Sequence, residues 1–184
     1  METDDRERWD AKHRGKLGRL ESAPDAFVIA GLEELGPGAG RRALDLAAGS
    51  GRHALELARR GWRTSAWDVS AVGLELLQER ARAGGLSVQV ECLDVLPLRS
   101  AREPFELILC SDFLDRELWQ SLAQWLVPGG HALLATFSLD WPGARPPERF
   151  RLGPGELERG LPGLQTLRTH EAGGRAGILA RRTP

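Results

Sequence analysis

The chain has 184 residues, 41% of them hydrophobic and 28% charged, with 25 basic against 26 acidic side chains and a net charge of −1. That balance fits a globular chain of ordinary domain size and excludes the polybasic or polyacidic surface that would recruit nucleic acid or an anionic membrane. The longest apolar runs, such as residues 131–137, are too short to cross a bilayer, and the opening is charged from Glu2 onward, unlike a secretory signal, so the cytoplasm is the expected compartment.

In chain order, the polar opening is followed by a helical pattern over residues 21–40. Ser22 is placed to cap it, Pro24 and Asp25 fall in its first turn, and the glycines of residues 36–40 end it. An alternation then begins. Residues 43–48 form a short apolar strand, a glycine turn follows, and residues 52–60 read as a helix closed by Gly61. Residues 62–68 form a second strand, and Ser70 caps a helix over 71–83 that stops at Gly84 and Gly85. Residues 87–94 give a third strand and 104–112 a fourth, with a helix over 115–127, a stop at residues 128–130 and a fifth strand over 131–137. Residues 138–155 carry four prolines and read as a flap, followed by one short helix at 156–161. Residues 163–171 and 176–182, joined through Gly173 and Gly174, read as a β-hairpin. The expected fold is α/β: a single doubly wound, Rossmann-like domain over 1–184, with a mostly parallel seven-stranded sheet and a C-terminal antiparallel hairpin. Within it, residues 1–20 are an N-terminal arm or lid.

Cys92 and Cys110 make neither a disulfide framework nor a zinc site, and each is expected to be a free, buried thiol near a strand end. The four histidines show no i, i+4 pair, so no protein-ligated metal is visible and activity is expected to be independent of divalent metal. The chain also has no Tyr and no Asn. Trp119 and Trp125 are expected in a helix–sheet core, and His131 at the start of the fifth strand.

Chemistry concentrates on the carboxyl ends of the first three strands, where an open parallel sheet binds its ligands. Gly49 and Gly51 allow a sharp turn and a close ligand approach. Asp68 ends the second strand at a spacing that suits a carboxylate accepting from both hydroxyls of a ribose. Read this way, Asp68 serves the ligand and not the free fold. Asp94, after the third strand, is placed to accept from an exocyclic amine. Each aspartate alone can equally be a helix or turn cap; their recurrence at successive strand ends describes a bound adenosine. A dinucleotide needs its pyrophosphate on the helix N-terminus, with a third glycine where this chain has Ala54. Asp45, inside the first strand, would repel a pyrophosphate and suits a ligand that carries an ammonium and a sulfonium, as S-adenosylmethionine does.

The stretch from Leu44 to Ser70, "LDLAAGSGRHALELARRGWRTSAWDVS", resembles the first motif and acidic loop of the class I S-adenosylmethionine-dependent methyltransferases. "ECLDV" is similar to their third motif, "FELILCSDFLD" to their fourth, and "LVPGGHALL" to the segment entering strand five. Within that family the chain resembles the tellurite-resistance-type group through "ERWDAKH", the glycine turn with Arg52, and "ERFRLGPGELE". The resemblance implies S-adenosyl-L-methionine as cofactor and S-adenosyl-L-homocysteine as product. It places cofactor contacts at Trp9, Asp45, Ala47, Gly49, Gly51 and Arg52, and at Asp68, Val69, Asp94, Val95 and Ser111. Ala47 stands where the family has glycine, and His13 where tellurite-type members carry an aromatic Tyr. The signatures of nucleic-acid amino-methyltransferases, of cytosine-C5 enzymes and of catechol-type metal sites have no match here.

Methyl transfer from a sulfonium is an in-line displacement in which positioning and exclusion of water supply most of the acceleration. The expected parts are therefore a lid and an acceptor pocket more than a catalytic side chain. Trp9 and His13, four apart on one helical face, either close over the cofactor or staple the arm to the sheet. Asp112, Phe113 and Arg116 follow strand four, where the transferred methyl points, and Arg145, Arg149 and Arg151 lie in the flap. Each of those arginines either holds a polar acceptor or is a solvated surface charge. A small-molecule acceptor is expected, a thiol or a chalcogen oxyanion, with Arg149 orienting it and no nucleic-acid or membrane partner. Two other readings stay open: a nucleotide-dependent oxidoreductase with a degenerate dinucleotide turn, and a non-catalytic cofactor-binding module.

Overall fold

The computed structural model describes residues 3–15, 23–98, 101–144 and 146–183. The expected Ser22 cap and Arg145 lie outside them. Seven strands form one sheet in the order β3-β2-β1-β4-β5-β7-β6. They are β1 (Arg42–Leu46), β2 (Arg63–Asp68), β3 (Val88–Cys92), β4 (Phe105–Ser111), β5 (Leu126–Phe137), β6 (Leu164–Ala172) and β7 (Arg175–Arg182). β1 with β2, β2 with β3, and β4 with β5 pair in parallel, whereas β7 runs antiparallel to both β5 and β6. The order reverses between β1 and β4, which is the topological switch point of a doubly wound sheet. The chain divides into two compact units, residues 1–24 with 36–98 and residues 25–35 with 99–184.

In the first unit, α3 (Arg52–Arg59) and α4 (Ala71–Ala83) cover one face of β2 and β3. Ala54, Leu55, Ala66, Leu74, Leu77 and Ala81 form their shared core. The helical period places Leu74, Leu77 and Ala81 on one face of α4, Ala54 and Leu55 come from α3 and Ala66 from β2, and their burial stabilises the unit at about 25 cal/mol per Å² of apolar surface. Ser70 caps α4 as expected, its hydroxyl accepting from the Gly73 N–H at 3.0 Å. The opening residues form a further helix, α1 (Thr3–Arg14).

In the second unit, α2 (Ala26–Leu35) lies on β5 and β7. A Cβ added at Gly31 would come within 2.7 Å of Leu133, and one at Gly177 within 2.5 Å of Phe27. Only glycines let these elements approach so closely. α2 starts later than expected. Asp25 is its cap, accepting from the Phe27 and Val28 N–H groups at 2.9 and 3.3 Å, and does not sit inside the first turn. The helix expected over 115–127 is also shorter: α5 covers Arg116–Ser121, a 3-10 turn covers Leu122–Trp125, and the chain is already extended at Leu126. Pro128 has no N–H to continue a helix and disfavours helical geometry at Val127 before it. Trp119 and Trp125 are buried as expected, and His131 lies within β5. The hairpin turn falls at Gly173 and Gly174, both with φ above +20° at 60° and 76°, which is the reason two glycines stand there. Cys110 is buried, but Cys92 is exposed because β3 is an edge strand, a correction to the expected pair of buried thiols.

Candidate active site

The glycine turn after β1 is left-handed at three positions: Ala47 (φ 58°), Gly49 (φ 54°) and Gly51 (φ 89°). A Cβ at Gly51 would overlap the Leu77 side chain, so α4 can pack against the turn only if position 51 is bare. Gly73 of α4 meets the same turn from the other side, where a Cβ would lie 3.1 Å from the Gly49 carbonyl carbon. Arg80, one more α4 residue, donates to the Ser50 carbonyl at 3.0 Å.

Carboxylates organise the rest of this region. Asp68 accepts from the Gly49 N–H with Oδ2 and from the Ser70 N–H with Oδ1, both at 2.8 Å, and is 8% exposed. It therefore holds the glycine turn to the start of α4 in the free protein. This corrects the reading that Asp68 serves the ligand alone. Burial raises its pKa, and the charge of Asp10 adds to the rise, while the Ser70 and Gly49 amides oppose it. Asp45 is buried deeper still, at 1% exposed, and burial pushes its pKa up to about 7 against the Ala54 amide and the Arg52 charge. Its Oδ2 has no hydrogen-bond partner among the described residues. A buried carboxylate oxygen left over at the end of a strand, beside a turn stripped of side chains, is the arrangement that a cationic ligand would complete. The orphaned Asp45 oxygen beside the bare turn is compatible with a ligand that carries a cationic group, as S-adenosylmethionine does. Asp94 caps its own loop by accepting from the Leu96 N–H at 3.0 Å; Val69 and Arg52 are half-buried, and Val95 is buried.

α1 reaches this region through two residues. His13 is buried at 4% exposure, its ring carbon 3.1 Å from where a Gly49 Cβ would stand. Asp10 accepts from the Ser70 hydroxyl at 2.6 Å and from the Val72 N–H at 3.3 Å, so it supplies a second carboxylate to the start of α4. Burial acts to raise the Asp10 pKa, but those two bonds and the charges of Arg14 and Arg6 lower it on balance. Trp9 is half-buried, stacked on His13 at 6.2 Å between centroids, with the Lys12 ammonium 4.0 Å over its ring. Sequence reasoning missed Asp10 and Gly73. A lone glycine inside the α4 pattern is the signal that could have exposed the second.

In the second unit, Ser111 is buried at the end of β4 and Phe113 is half-buried. Asp112 is left-handed (φ 60°) and pairs with Arg175 at 2.7 Å. Arg175 also pairs with Asp25 at 2.8 Å and lies 4.4 Å over the Phe137 ring, so one guanidinium joins the ends of β4 and β5, the start of β7 and the cap of α2. No spacing in the sequence announces that hub. Arg116 is not an isolated surface charge. Its fork donates to both Glu156 oxygens at 2.6 and 2.9 Å and to the carbonyls of Arg149 and Arg151 at 3.3 and 3.0 Å. The Arg116 bond, foremost, and its charge hold the Glu156 carboxyl below its ordinary range. Arg151 is 8% exposed and donates to three carbonyls, those of Pro146, Trp141 and Gly143. Both arginines are thus committed to backbone and do not present open cations, whereas Arg149 is exposed with its guanidinium 4.7 Å over Phe150. Beside the Arg116–Glu156 pair is a cavity of about 470 Å³, with Leu114, Trp119, Leu152, Leu157, Leu161 and Pro162 among its lining. No group of His, Cys, Asp and Glu among the described residues can hold a metal ion, and no described helix is long and apolar enough to cross a membrane.

Residues 43–130 match the family model described as a methyltransferase domain. That match spans just under half of the chain, and the seven-stranded sheet with its glycine turn agrees with a Rossmann-like methyltransferase fold. Among solved structures, TehB from Haemophilus influenzae is similar at 21% identity and TM-score 0.75, over 95% of this chain and 67% of that one. Magnesium protoporphyrin IX methyltransferase (ChlM) from Synechocystis PCC 6803 with bound S-adenosylmethionine is similar at 16% identity and TM-score 0.72, over 98% and 96%. A structure described as "Conversion of a Disulfide Bond into a Thioacetal Group during Echinomycin Biosynthesis" is similar at 20% identity and TM-score 0.71, over 97% and 91%. No curated protein sequence gives a match.

Proposed function

We propose that the chain transfers a methyl group to a small-molecule acceptor with a soft nucleophile, a thiol or a chalcogen oxyanion, and that it works in the cytoplasm without a nucleic-acid or membrane partner. The cofactor supplies an electrophilic methyl on a sulfonium. The chain's own residues bind and align. Asp45 takes the ammonium, and the bare turn of Gly49 and Gly51 admits the cofactor's body. Asp68 takes a ribose hydroxyl on lone pairs that its two amide bonds leave over, because each carboxylate oxygen accepts more than one bond. The arm α1 is the lid: its His13 covers the glycine turn and its Asp10 ties it to α4. The acceptor's side of the reaction is assigned to the end of β4, at Ser111, Asp112 and Phe113, with Arg149 the exposed cation of residues 138–155 that orients a polar acceptor.

The observation that carries the small-molecule reading is the cavity of about 470 Å³ next to the residues that follow β4. Its size falls within the range of small-ligand pockets. The soft-nucleophile reading is supported by the resemblance to tellurite-type enzymes and by one structural relative that is described by sulfur chemistry. The deciding experiment measures S-adenosylhomocysteine release with a panel of small thiols and chalcogen oxyanions, in EDTA and in Mg²⁺. Turnover of at least one of them, equal in both buffers, is the expected result. Methylation of tRNA or protein with every small acceptor inert would refute it.

A further inference from the structure

We propose that the described residues of 138–155 are a preformed wall of the acceptor side, not a flap that closes on it, and that Arg151 is the positioning residue that sets the wall's shape. The inference rests on the function proposed above for its role, but on the free protein for its geometry. The neck of the segment is closed by backbone. The Leu139 N–H donates to the Leu152 carbonyl and the Leu152 N–H to the Phe137 carbonyl, both at 2.9 Å, and Ser138 bridges Leu152 in parallel. Above the neck the chain makes no regular ladder, so its carbonyls need other donors. One buried guanidinium supplies them. Arg151 donates Nε to Pro146 at 2.8 Å, Nη1 to Trp141 at 3.1 Å and Nη2 to Gly143 at 2.6 Å. A planar fork with five fixed N–H directions dictates where three carbonyls stand, which a lysine ammonium on a flexible stem cannot do.

The outside is fastened as well. Arg116 of α5 binds the carbonyls of Arg149 and Arg151, and its partner Glu156 accepts from the Gly153 N–H at 2.8 Å. The segment is therefore tied at its neck, in its interior and to α5. A lid has to break such bonds on each turnover; a wall keeps them. Leu152, next to Arg151 and 2% exposed, and Glu156 both line the 470 Å³ cavity, so the geometry that Arg151 imposes also sets that cavity's edge.

Amide hydrogen exchange of the free protein, with and without S-adenosylhomocysteine, tests the wall directly. Leu139, Trp141 and Phe150–Gly153 are expected to exchange at least about a hundredfold slower than unstructured chain, with less than about a threefold change on adding S-adenosylhomocysteine. Arg151→Ala should speed them about tenfold or more, and Arg151→Lys should fall between. With 2-mercaptoethanol as acceptor, Arg151→Lys should raise KM about fivefold or more while kcat and the calorimetric Kd for S-adenosylhomocysteine hold, which a merely structural role would not produce. Amides that exchange as unstructured chain until S-adenosylhomocysteine protects them would overturn the proposal, as would wild-type exchange in Arg151→Ala. If S-adenosylhomocysteine does not bind at all, the proposed function fails, and the exchange of the free protein still decides whether the wall exists.

Discussion

The turn after β1 and the segment after β5 both present backbone where a side chain would be in the way, and they are held by opposite means. Carboxylates grip N–H groups in the first: Asp68 takes those of Gly49 and Ser70, and Asp10 takes that of Val72. Guanidiniums grip carbonyls in the second: Arg151 takes three and Arg116 two. The chemistry of the clamp decides what each region can do. A carboxylate clamp leaves lone pairs for a ligand's hydroxyls and ammonium, and it titrates. A guanidinium clamp stays charged at any working pH and uses its donors on the loop itself. The clamp of the first region can therefore respond to pH and to a ligand, and that of the second is engaged by the loop itself.

The largest expected effect tests the responsiveness. Burial holds the Asp45 pKa at about 7 in the folded protein, above the ordinary 3.8. Between those values the folded state binds more protons than the unfolded chain, so stability falls as pH rises through the window and the full penalty is present above about pH 7. A shift of that size corresponds to something on the order of 4 kcal/mol. Asp45→Asn should flatten the slope of stability against pH between pH 5 and 8, read from urea unfolding, relative to wild type. Lost stabilisation from Asp10, Asp25 and Glu156, whose pKa values are lowered, belongs below pH 4 and does not intrude. Binding of S-adenosylhomocysteine at pH 6 should release protons as its ammonium ionises Asp45. Calorimetry in two buffers of different ionisation heat reads this directly. Parallel stability curves and no proton release would erase the contrast between the regions.

Next comes Asp68→Ala. It strands two N–H groups in a buried turn, at roughly 1–3 kcal/mol each, partly offset by removing a carboxylate that is itself costly to bury. The free protein should lose about 2 kcal/mol in chemical denaturation, and S-adenosylhomocysteine should bind at least about tenfold more weakly. An unchanged melting point with weakened binding would restore the reading of Asp68 as a pure ligand residue.

A smaller effect is expected at α1. Asp10→Ala removes the second carboxylate from the start of α4, a change of about 1 kcal/mol by analogy with helix caps. It should release the arm. Proteolytic cleavage before residue 15 should accelerate in the free protein, and deletion of residues 1–13 should abolish turnover while the rest of the chain still folds. If cleavage is unchanged and the truncated enzyme keeps wild-type turnover, α1 is a staple and not a lid.

The difference in clamps also explains what the sequence disclosed. The first region is built from neighbours along a strand–turn–helix unit. Asp45, Gly49, Gly51 and Asp68 occupy strand ends that periodicity locates, and the Ser70 cap over residues 71–83 is a local rule that held. The mostly parallel seven-stranded sheet and the hairpin turn at Gly173 and Gly174 followed from the same local signals, whereas the order of the strands did not. The second region is tertiary. Arg175 meets Asp25 across 150 positions and Arg116 meets Glu156 across 40, so no local pattern told a carbonyl clamp from a solvated arginine. The helix over 115–127 broke early because its C-terminal turn lies against Pro128, a signal present in the sequence but outweighed by apolar periodicity. Asp10 was invisible for the tertiary reason: its partner is the cap of a helix 60 positions away.

The smallest expected effect concerns Ala47, where the responsive region carries strain of its own. Its φ of 58° lies in the left-handed region, which a Cβ disfavours by about 1 kcal/mol or slightly more. Ala47→Gly removes that strain but gives the unfolded chain more freedom, at roughly 0.5–1 kcal/mol. The balance favours the variant by about 0.5 kcal/mol at most, a rise of a few degrees or less in Tm for a chain of this size. The effect on binding should be larger than the effect on stability if Ala47 crowds the cofactor's path over the turn, because the methyl group then opposes the ligand and not only the fold. Calorimetry with S-adenosylhomocysteine separates the two. A tighter Kd with nearly constant Tm places the Ala47 methyl against the cofactor. A Tm gain with unchanged Kd confines it to backbone strain. A clear loss of stability would show that the surrounding bonds, the Ala48 N–H to Trp67 and the Gly51 N–H to Ala48, over-determine the turn so completely that a rigid residue at position 47 is an advantage.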